Sequence, residues 1–449
     1  MKRCKLLLLF LLVLSIQAYA DRPNVLMIIV DDLNHWVGHL ERNPDIKTPH
    51  IDALAARGVS FKYAYTASSQ CNPSRAATFV GRRPTTTGVY ANSNKWEGLI
   101  SQKQLLTTHI HNQGYYVAGA GKVHGSVTSK PYVGIDNYQK RGAEEKGKVL
   151  DKGVVAAQSW SILQGGDEVA EDEKTVRFIV DELSKQHKKP FFLLAGLYKP
   201  HLKWSVPKKY YDMYPLDKIK LPPVKADDYN DLDRNAVRAI AGDRTETDKI
   251  AKDKLKQMVR AYMAAVSYAD AQVGRIMKAL DNSSHRDNTI VVLWGDHGYH
   301  LGEKHIAAKR ALWEESTRTP YIWLAPGVTP KGVITNNTVD LMTVFPTLCD
   351  LLNIPVPTYV EGESISKILR NPLKEFNTHA LTTYRPGNHT IRTPDWRYIR
   401  YANGFEELYD KRKDEYEWHN LAALAKYDNI KKKLKALLPK KEKENIKAK

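Results

Sequence analysis

Three segments of the chain carry unbroken runs of apolar residues, many of them β-branched. They cover residues 24–30, 191–195 and 289–294. Runs of this length and composition are typical of strands that are buried on both faces of a parallel sheet. Residues 252–280 instead repeat their apolar positions with the period of a helix, and residues 49–57 predict a short helix. Strands separated by helices predict an α/β fold with a mainly parallel sheet.

Polar residues follow each of the three predicted strands. Asp31 and Asp32 come directly after the first, His201 follows the second, and Asp296 and His297 follow the third. In open α/β sheets, ligands bind beyond the carboxyl ends of the strands. The pattern therefore predicts a ligand site at this edge of the sheet.

The pattern changes near residue 381. Residues 396–401 alternate bulky and basic side chains, which favours a half-solvated antiparallel strand, and residues 420–438 predict a helix. Residues 205–250 have weak periodicity and are interpreted as a long surface insertion rather than a domain. The predicted organisation is a signal peptide (1–20), a main α/β domain (21–380), a small C-terminal α+β subdomain (381–437) and a solvated basic tail (438–449).

The first 20 residues have the form of a secretory signal peptide. A basic start precedes an apolar run at residues 6–16, and Ala18 and Ala20 stand where a signal peptidase requires small residues. The run is shorter than the roughly 20 residues that a membrane-spanning helix needs, so we predict cleavage and no transmembrane anchor. We expect the export machinery to deliver the chain to the periplasm or the medium, or to a lysosome-type compartment if the host is eukaryotic.

Composition adds a basic charge to this picture. The 449 residues include 68 Lys+Arg and 50 Asp+Glu, a formal charge of +18, with three charges in the signal and seven in residues 431–449. Nucleic acid, an anionic membrane and an acidic polymer are all partners that suit such a chain. Three cysteines exclude a disulfide framework, and Cys349, in an apolar segment, is predicted to be a small buried hydrophobe.

The most specific motif begins at Cys71 and reads Cys-Asn-Pro-Ser-Arg-Ala-Ala-Thr-Phe-Val-Gly-Arg-Arg-Pro. It resembles the signature of the type I sulfatases of the alkaline-phosphatase-like superfamily. The resemblance implies an α/β sandwich with a large, mainly parallel sheet between helices. It also implies that a formylglycine-generating (sulfatase-maturating) enzyme reads the Cys-x-Pro-x-Arg core and converts Cys71 to Cα-formylglycine.

The chain also carries the other elements of that family in the family's order, and the resemblance extends from about residue 21 to about residue 427. Within the family, the sequence is most similar to the iduronate-2-sulfatase-like branch. The matching residues are Asp31-Asp32, Lys122-Val123-His124, Lys199-Pro200-His201, Gly295-Asp296-His297-Gly298 and Lys309.

The resemblance implies a metal centre made of Asp31, Asp32, Asp296, His297 and the modified Cys71. Carboxylate oxygens are hard ligands that favour Ca²⁺. A histidine nitrogen is softer, so Mg²⁺, or an indirect role for His297, stays open.

Roles for the remaining residues also follow from the resemblance. The nucleophile is a hydroxyl of the hydrated formylglycine, which attacks sulfur, expels the alcohol and forms a covalent sulfate ester. The second hydroxyl then loses its proton, the aldehyde re-forms and sulfate leaves. Arg75 reaches back to the gem-diol and the metal carboxylates, while Lys122 and Lys309 neutralise the sulfate oxygens. His124 is expected to orient or deprotonate the gem-diol, and His201 to protonate the leaving oxygen.

An outer substrate pocket is predicted from Asn94 and Trp96, after the motif, and from Arg385 and His389, at the start of the C-terminal subdomain. Lys122, His201 and Lys309 would complete the substrate contacts. Arg385 and His389 equally fit a surface loop that caps the C-terminal sheet.

The predicted function is hydrolysis of sulfate esters in a glycosaminoglycan or algal-type polysaccharide, with a 2-sulfated uronic acid as one candidate substrate. Two alternatives stay open: a phosphate or phosphonate monoester hydrolase on the same scaffold, and a non-catalytic binder of anionic glycans. Nucleic-acid binding is not expected, because the sequence carries no recognised module for it and the chain is predicted to be exported.

Overall fold

The computed structural model describes residues 22–96, 100–125, 134–140, 142, 147–155, 157–241 and 247–445. The predicted signal peptide lies outside these residues. The strands are β1 (Asn24–Val30), β2 (Val59–Tyr65), β3 (Tyr116–Gly121), β4 (Asn137–Gln139), β5 (Val149–Val155), β6 (Gln158–Leu163), β7 (Phe191–Leu197), β8 (Trp204–Pro207), β9 (Thr289–Gly295), β10 (Tyr321–Leu324), β11 (Val333–Asp340), β12 (Ala380–Thr383), β13 (His389–Arg392), β14 (Trp396–Arg400) and β15 (Glu406–Asp410). The α-helices are α1 (Pro49–Ala55), α2 (Cys71–Val80), α3 (Pro84–Thr87), α4 (Leu106–Asn112), α5 (Glu173–Ser184), α6 (Lys208–Asp212), α7 (Arg234–Ala241), α8 (Lys252–Asp281), α9 (Glu314–Thr317), α10 (Val344–Leu351), α11 (Ser366–Arg370) and α12 (Asp428–Lys435).

The three predicted strands form the centre of the main sheet. Within the described residues this sheet has eight strands in the order β11-β2-β10-β9-β1-β7-β3-β4. β1 pairs in parallel with both β7 and β9, and β10 is antiparallel to its neighbours. Every residue of β1, β7 and β9 is buried, because helices cover both faces. The predicted mainly parallel sheet is confirmed.

Alternate side chains of β1 feed two separate cores. Leu26 and Ile28 pack in one core with residues of α5 and α8, on one face of the sheet. Val25 and Met27 pack in the other core with residues of α2, α4 and α10. This is the expected consequence of the two-residue period of a strand. The helix–sheet–helix sandwich predicted from the resemblance is confirmed.

The C-terminal subdomain is a second, smaller sheet, antiparallel in the order β12-β13-β14-β15. It lies beside the loop that leads from β2 to α2, because Thr382 Oγ1 donates to the Thr66 carbonyl (2.5 Å) and the Thr383 amide donates to the Ala67 carbonyl (3.0 Å). The predicted helix over 420–438 is shorter in the structure. α12 begins at Asp428, after a 3₁₀ turn at Ala425–Tyr427.

The prediction of a surface insertion was wrong for the first part of residues 205–250. Tyr210, Tyr211 and Tyr214 are buried in the core that also contains α8. The Tyr214 hydroxyl lies 2.5 Å from Ser267 Oγ on that helix, and the Tyr211 hydroxyl donates to the Trp204 carbonyl (2.7 Å). A buried tyrosine packs its apolar ring in the core while its hydroxyl makes a hydrogen bond, and the periodicity of the sequence does not reveal such a position. No helix in the described ranges has the length and apolarity to cross a membrane.

α8 also fixes the loop after β1, through the hydroxyl of Tyr262. This hydroxyl donates to the Asp32 carbonyl (2.8 Å) and accepts from the Asn34 amide (2.9 Å), and all three residues are buried. Asp32 has a left-handed backbone conformation (φ 60°), which aspartate tolerates better than most residues. The helix therefore holds the polar turn in place from behind.

We expect Tyr262→Phe to destabilise the fold by about 1–3 kcal/mol, because it leaves the buried Asn34 amide without an acceptor. Tyr268→Phe is a matched control on the same helix. Tyr268 is equally buried, but its hydroxyl has no hydrogen-bond partner among the described residues, so its removal should cost little. Chemical denaturation of both variants tests this, and equal losses of unfolding free energy would contradict it.

Candidate active site

Four adjacent strands bring the predicted residues to one edge of the main sheet. Asp31, Lys122 and Asp296 come directly after β1, β3 and β9, and His201 follows β7. β3, β7, β1 and β9 are parallel neighbours, so their carboxyl ends meet. Gly196 allows the close approach, because a Cβ at this position would overlap the Lys122 backbone.

Cys71 lies at the first turn of α2 and in the middle of these side chains. Its Sγ is 3.0 Å from Lys309 Nζ, 3.2 Å from His297 Nε2 and 3.7 Å from Asp32 Oδ1, and only 3% of the residue is exposed. Burial raises the pKa of the thiol, but the charges of Lys122 and Lys309 outweigh it and hold the pKa well below its usual range. The N-terminus of a helix also favours negative charge at this position.

A set of four potential metal ligands surrounds this point. One ligand atom each from Asp31, Asp32, Cys71 and His297 lies within 4.8 Å of all the others. Asp32 Oδ2 is buried and has no hydrogen-bond partner among the described residues. The His297 Nδ1–H donates to the Gly298 carbonyl (2.9 Å), which leaves Nε2 available as a ligand. These features fit a divalent cation.

Asp296, the other predicted ligand, lies beside this set. Its Oδ1 accepts from the Asp32 amide (3.0 Å) and is 3.7 Å from His297 Nε2, while its Oδ2 accepts from Arg75 Nε (2.8 Å). Burial, followed by the charge of Asp31, raises the pKa of Asp296 to about 6. The structure therefore gives Asp296 a position from which it holds the Asp32 backbone and Arg75.

Two lysines neutralise the aspartate pair. Lys122 Nζ pairs with Asp31, and Lys309 Nζ pairs with Asp32 at 2.6 Å. Burial raises the pKa of both carboxyls, but the lysine charges outweigh it. The pKa of Asp31 is lowered well below its usual range, and that of Asp32 falls to about 2. Both aspartates are therefore ionised at neutral pH.

Arg75 is fully buried one helical turn after Cys71, and its guanidinium organises the floor of the site. Besides Asp296, it contacts Asp31 Oδ1 at 3.1 Å and donates to the carbonyls of Lys122 and Val123. A planar fork of donors is suited to such multiple fixed contacts. It thereby ties α2 to the ends of β1, β3 and β9.

The two predicted histidines have different environments. His124 is buried against the Phe79 ring (4.5 Å between centroids), and burial followed by the charge of Arg75 lowers its pKa to about 3. His201 is half-buried, and its Nδ1–H donates to the Leu202 carbonyl (2.8 Å), so that Nε2 is the ring nitrogen at which a proton can be gained or lost. At neutral pH, His124 is therefore an uncharged imidazole.

Asn94 and Trp96 are buried beside α2, and both contact Asn72. Trp96 Nε1 donates to Asn72 Oδ1 (2.6 Å), Asn72 Nδ2 donates to the Asn94 carbonyl (2.8 Å), and Asn94 Oδ1 accepts from the Tyr90 amide (2.9 Å). The side chain of Asn94 thus stabilises the turn between Tyr90 and Asn94. Sequence reasoning missed Asn72, because it occupies the variable position of the Cys-x-Pro-Ser-Arg motif.

Arg385 and His389 lie on the β12–β13 connection. Arg385 stacks over the Tyr384 ring (5.4 Å), in a left-handed backbone conformation (φ 59°). His389 is buried, and its Nδ1 lies 3.0 Å from Thr383 Oγ1, which fixes the ring at the start of β13. His389 therefore lies next to β12, whose Thr383 amide donates to the Ala67 carbonyl, and Arg385 lies against Tyr384.

Comparison with known proteins gives a consistent assignment. The sulfatase family profile matches residues 23–354, and the profile of the C-terminal region of N-sulphoglucosamine sulphohydrolase matches residues 302–444. A sulfatase of Formosa agariphila is 34% identical over 95% of this chain and 88% of its own. Human iduronate 2-sulfatase is 29% identical over 82% of this chain and 77% of its own.

The solved structure of a phosphonate monoester hydrolase of Agrobacterium radiobacter has the same fold. Its TM-score is 0.77 at 20% identity, and the match covers 92% of this chain and 94% of the other. At this identity the likeness is one of fold alone. Since the sulfatase profile covers most of the chain and the Formosa relative is similar along nearly all of it, the chain belongs to the sulfatase family and is a sulfuric ester hydrolase.

Proposed function

We propose that the protein is an exported, formylglycine-dependent sulfatase that removes sulfate from an acidic, sulfated carbohydrate. The observation that carries the proposal is the position of Cys71, whose Sγ lies within 3.2 Å of Lys309 and His297 and beside Asp32. A sulfate monoester is an anion that repels nucleophiles, and this position combines a nucleophile with two lysines and a metal-ligand set.

The chain's own residues would bind and orient the ester. Lys122 and Lys309 hold sulfate oxygens as point charges, and Arg75 keeps the nucleophile-bearing turn of α2 against the aspartates. Asp31, Asp32 and His297 would hold a divalent cation, with Asp296 and residue 71 at its edge, and Ca²⁺ suits the carboxylate oxygens better than Mg²⁺. A bound cation would supply charge stabilisation, and the hydrated aldehyde at position 71 would supply the nucleophilic hydroxyl.

The two histidines would divide the proton transfers. The Nε2 of His201, which Leu202 does not engage, would carry the proton that passes to the leaving oxygen. His124 is uncharged at neutral pH and lies against the catalytic helix, so it would orient or deprotonate the nucleophile. Asn94, Trp96, Arg385 and His389 would form the outer pocket.

The substrate class is proposed from the relatives and from charge. The similarity to iduronate 2-sulfatase supports a glycan that contains a 2-sulfated uronic acid, and an algal-type polysaccharide is a second candidate. The basic character of the chain suits a polyanion. We propose residues 21–380 as the catalytic domain, 381–437 as the subdomain and 438–449 as the tail. A formylglycine-generating enzyme and the export machinery would be partners, with the periplasm or the medium as destination.

Substitution of Cys71 by Ala should abolish sulfate release from an aryl sulfate, because the aldehyde precursor is lost. Cys349→Ala is the matched control, since Cys349 is a buried free thiol in the core and should leave turnover near wild type. Mass spectrometry of the peptide that contains residue 71 should show the aldehyde in active protein. An active protein with an unmodified thiol would refute the proposal, and higher kcat/KM on aryl phosphonate than on aryl sulfate would refute the sulfatase assignment.

Addition of Ca²⁺ to chelator-treated protein should stabilise the fold, by about 2.7 kcal/mol when the free ion is at 100 times its dissociation constant. Asp32→Asn should remove most of this stabilisation, because it deletes the charge of a ligand while asparagine still accepts the left-handed backbone. Asp253→Asn, at an exposed acid of α8, should leave it intact. Thermal unfolding with Ca²⁺ or Mg²⁺ tests this, and equal Ca²⁺ responses of the two variants would contradict it.

His201→Gln should lower kcat on a sugar sulfate by about 10²–10⁴-fold, because an alkoxide leaves poorly without a proton. The loss on an aryl sulfate with an acidic phenol should be much smaller. His124→Gln should lower both rates to a similar extent. Steady-state kinetics with the two substrates separates the roles, and an equal loss on both substrates for His201→Gln would assign the acid elsewhere.

A further inference from the structure

The C-terminal tail places a carboxylate on the β12–β13 connection. Glu442 Oε1 lies 2.9 Å from His389 Nε2, and Glu442 Oε2 accepts from the Gly387 amide at 2.8 Å. The tail was predicted to be solvated, and residues 440–445 are exposed, but Leu438 is buried and Glu442 is bound through both of its oxygens. His389 Nε2 and the Gly387 amide each contact one oxygen of the same carboxylate, so this turn binds a carboxylate through both of its oxygens.

The next residue of the tail binds the opposite segment. The Lys443 amide donates to the Thr85 carbonyl (2.7 Å), and the Lys443 carbonyl accepts from the Tyr90 hydroxyl (2.9 Å). The Tyr90 amide in turn donates to Asn94. Two consecutive tail residues therefore join the segment around Asn94 to the segment around His389, and these are the two proposed walls of the outer pocket.

The two groups that bind the Glu442 carboxylate are fixed within the fold, whereas Glu442 itself is accessible to solvent and can be displaced. His389 is 3% exposed in its side chain and is fixed by Thr383 through Nδ1, whereas the side chain of Glu442 is 28% exposed. A hydrogen bond to a partly exposed side chain contributes little net free energy, so another carboxylate can compete for it. Lys440, Lys441 and Lys443 flank Glu442 and provide a positive surround for an incoming polyanion.

We propose that His389 Nε2 and the Gly387 amide form a subsite for the carboxylate of an acidic sugar, and that Glu442 occupies this subsite until the substrate displaces it. The inference rests on the proposed function and deepens it, because it specifies a uronic acid rather than a neutral sulfated sugar. Glu442 is then a determinant of specificity that lowers the apparent affinity for acidic glycans in proportion to its own occupancy.

The kinetic test uses Glu442→Gln with Glu444→Gln as the matched control. Glu444 is an exposed tail glutamate for which the described residues show no hydrogen bond or ion pair. The substrates are a sulfated uronic-acid oligosaccharide and its carboxyl-reduced counterpart. We expect the ratio of their kcat/KM values to shift toward the acidic substrate by about fivefold in Glu442→Gln, the effect of losing one partly exposed hydrogen bond, and to stay at the wild-type value in Glu444→Gln. His389→Ala should shift the ratio the other way.

A binding measurement separates this inference from the proposed function. Calorimetry with an unsulfated uronic-acid disaccharide requires no turnover, and the disaccharide should bind Glu442→Gln about fivefold more tightly than wild type and His389→Ala more weakly. If neither sugar is hydrolysed but this order of affinities holds, the substrate assignment fails and the subsite stands. Equal binding to wild type and Glu442→Gln, or an unchanged kinetic ratio, would mean that the contact only ties down the tail and would overturn the inference.

Discussion

The compensation of buried negative charge governs the architecture of this protein. Asp31, Asp32 and Asp296 are each at most 1% exposed and converge at the edge of one sheet. Buried carboxylates are tolerated only when paired, hydrogen-bonded or bound to metal. Lys122, Lys309 and Arg75 supply three of the compensating charges. Asp32 Oδ2 has no partner among the described residues, and a divalent cation fits that remaining demand.

The same compensation explains why distant parts of the chain must be placed so accurately. Arg75 connects α2 with the ends of three strands, and the Tyr262 hydroxyl on α8 fixes the turn that carries Asp32. A displacement of either helix would leave a charge unpaired in a region of low dielectric constant, where the penalty is large. The hydrophobic cores on the two faces of the sheet therefore determine the geometry of the site. The geometry of the candidate site and the stability of the fold therefore depend on the same contacts.

The elements that sequence predicted best were those with a strong periodic or compositional pattern. The apolar runs of β1, β7 and β9 are typical of buried parallel strands, and the polar residues after them were predicted to meet at one edge of the sheet. Sequence failed where tertiary contacts override local pattern. The three tyrosines of residues 208–214 were assigned to the surface because their rings follow no helical period, yet they pack on α8. Nothing in a lysine-rich tail predicted that Glu442 would bind the turn at His389, since such a contact joins residues 53 positions apart.

The burial of the motif also constrains when residue 71 can be modified. An enzyme that reads Cys-x-Pro-x-Arg must contact the cysteine and the arginine together. In the folded chain, Cys71 is 3% exposed and Arg75 is fully buried, and both lie on a helix whose arginine is held by two aspartates and two carbonyls. Exposure of that segment requires disruption of the charge compensation that stabilises the site. The proposed conversion of Cys71 would therefore have to precede completion of the fold, because the folded chain closes access to the motif.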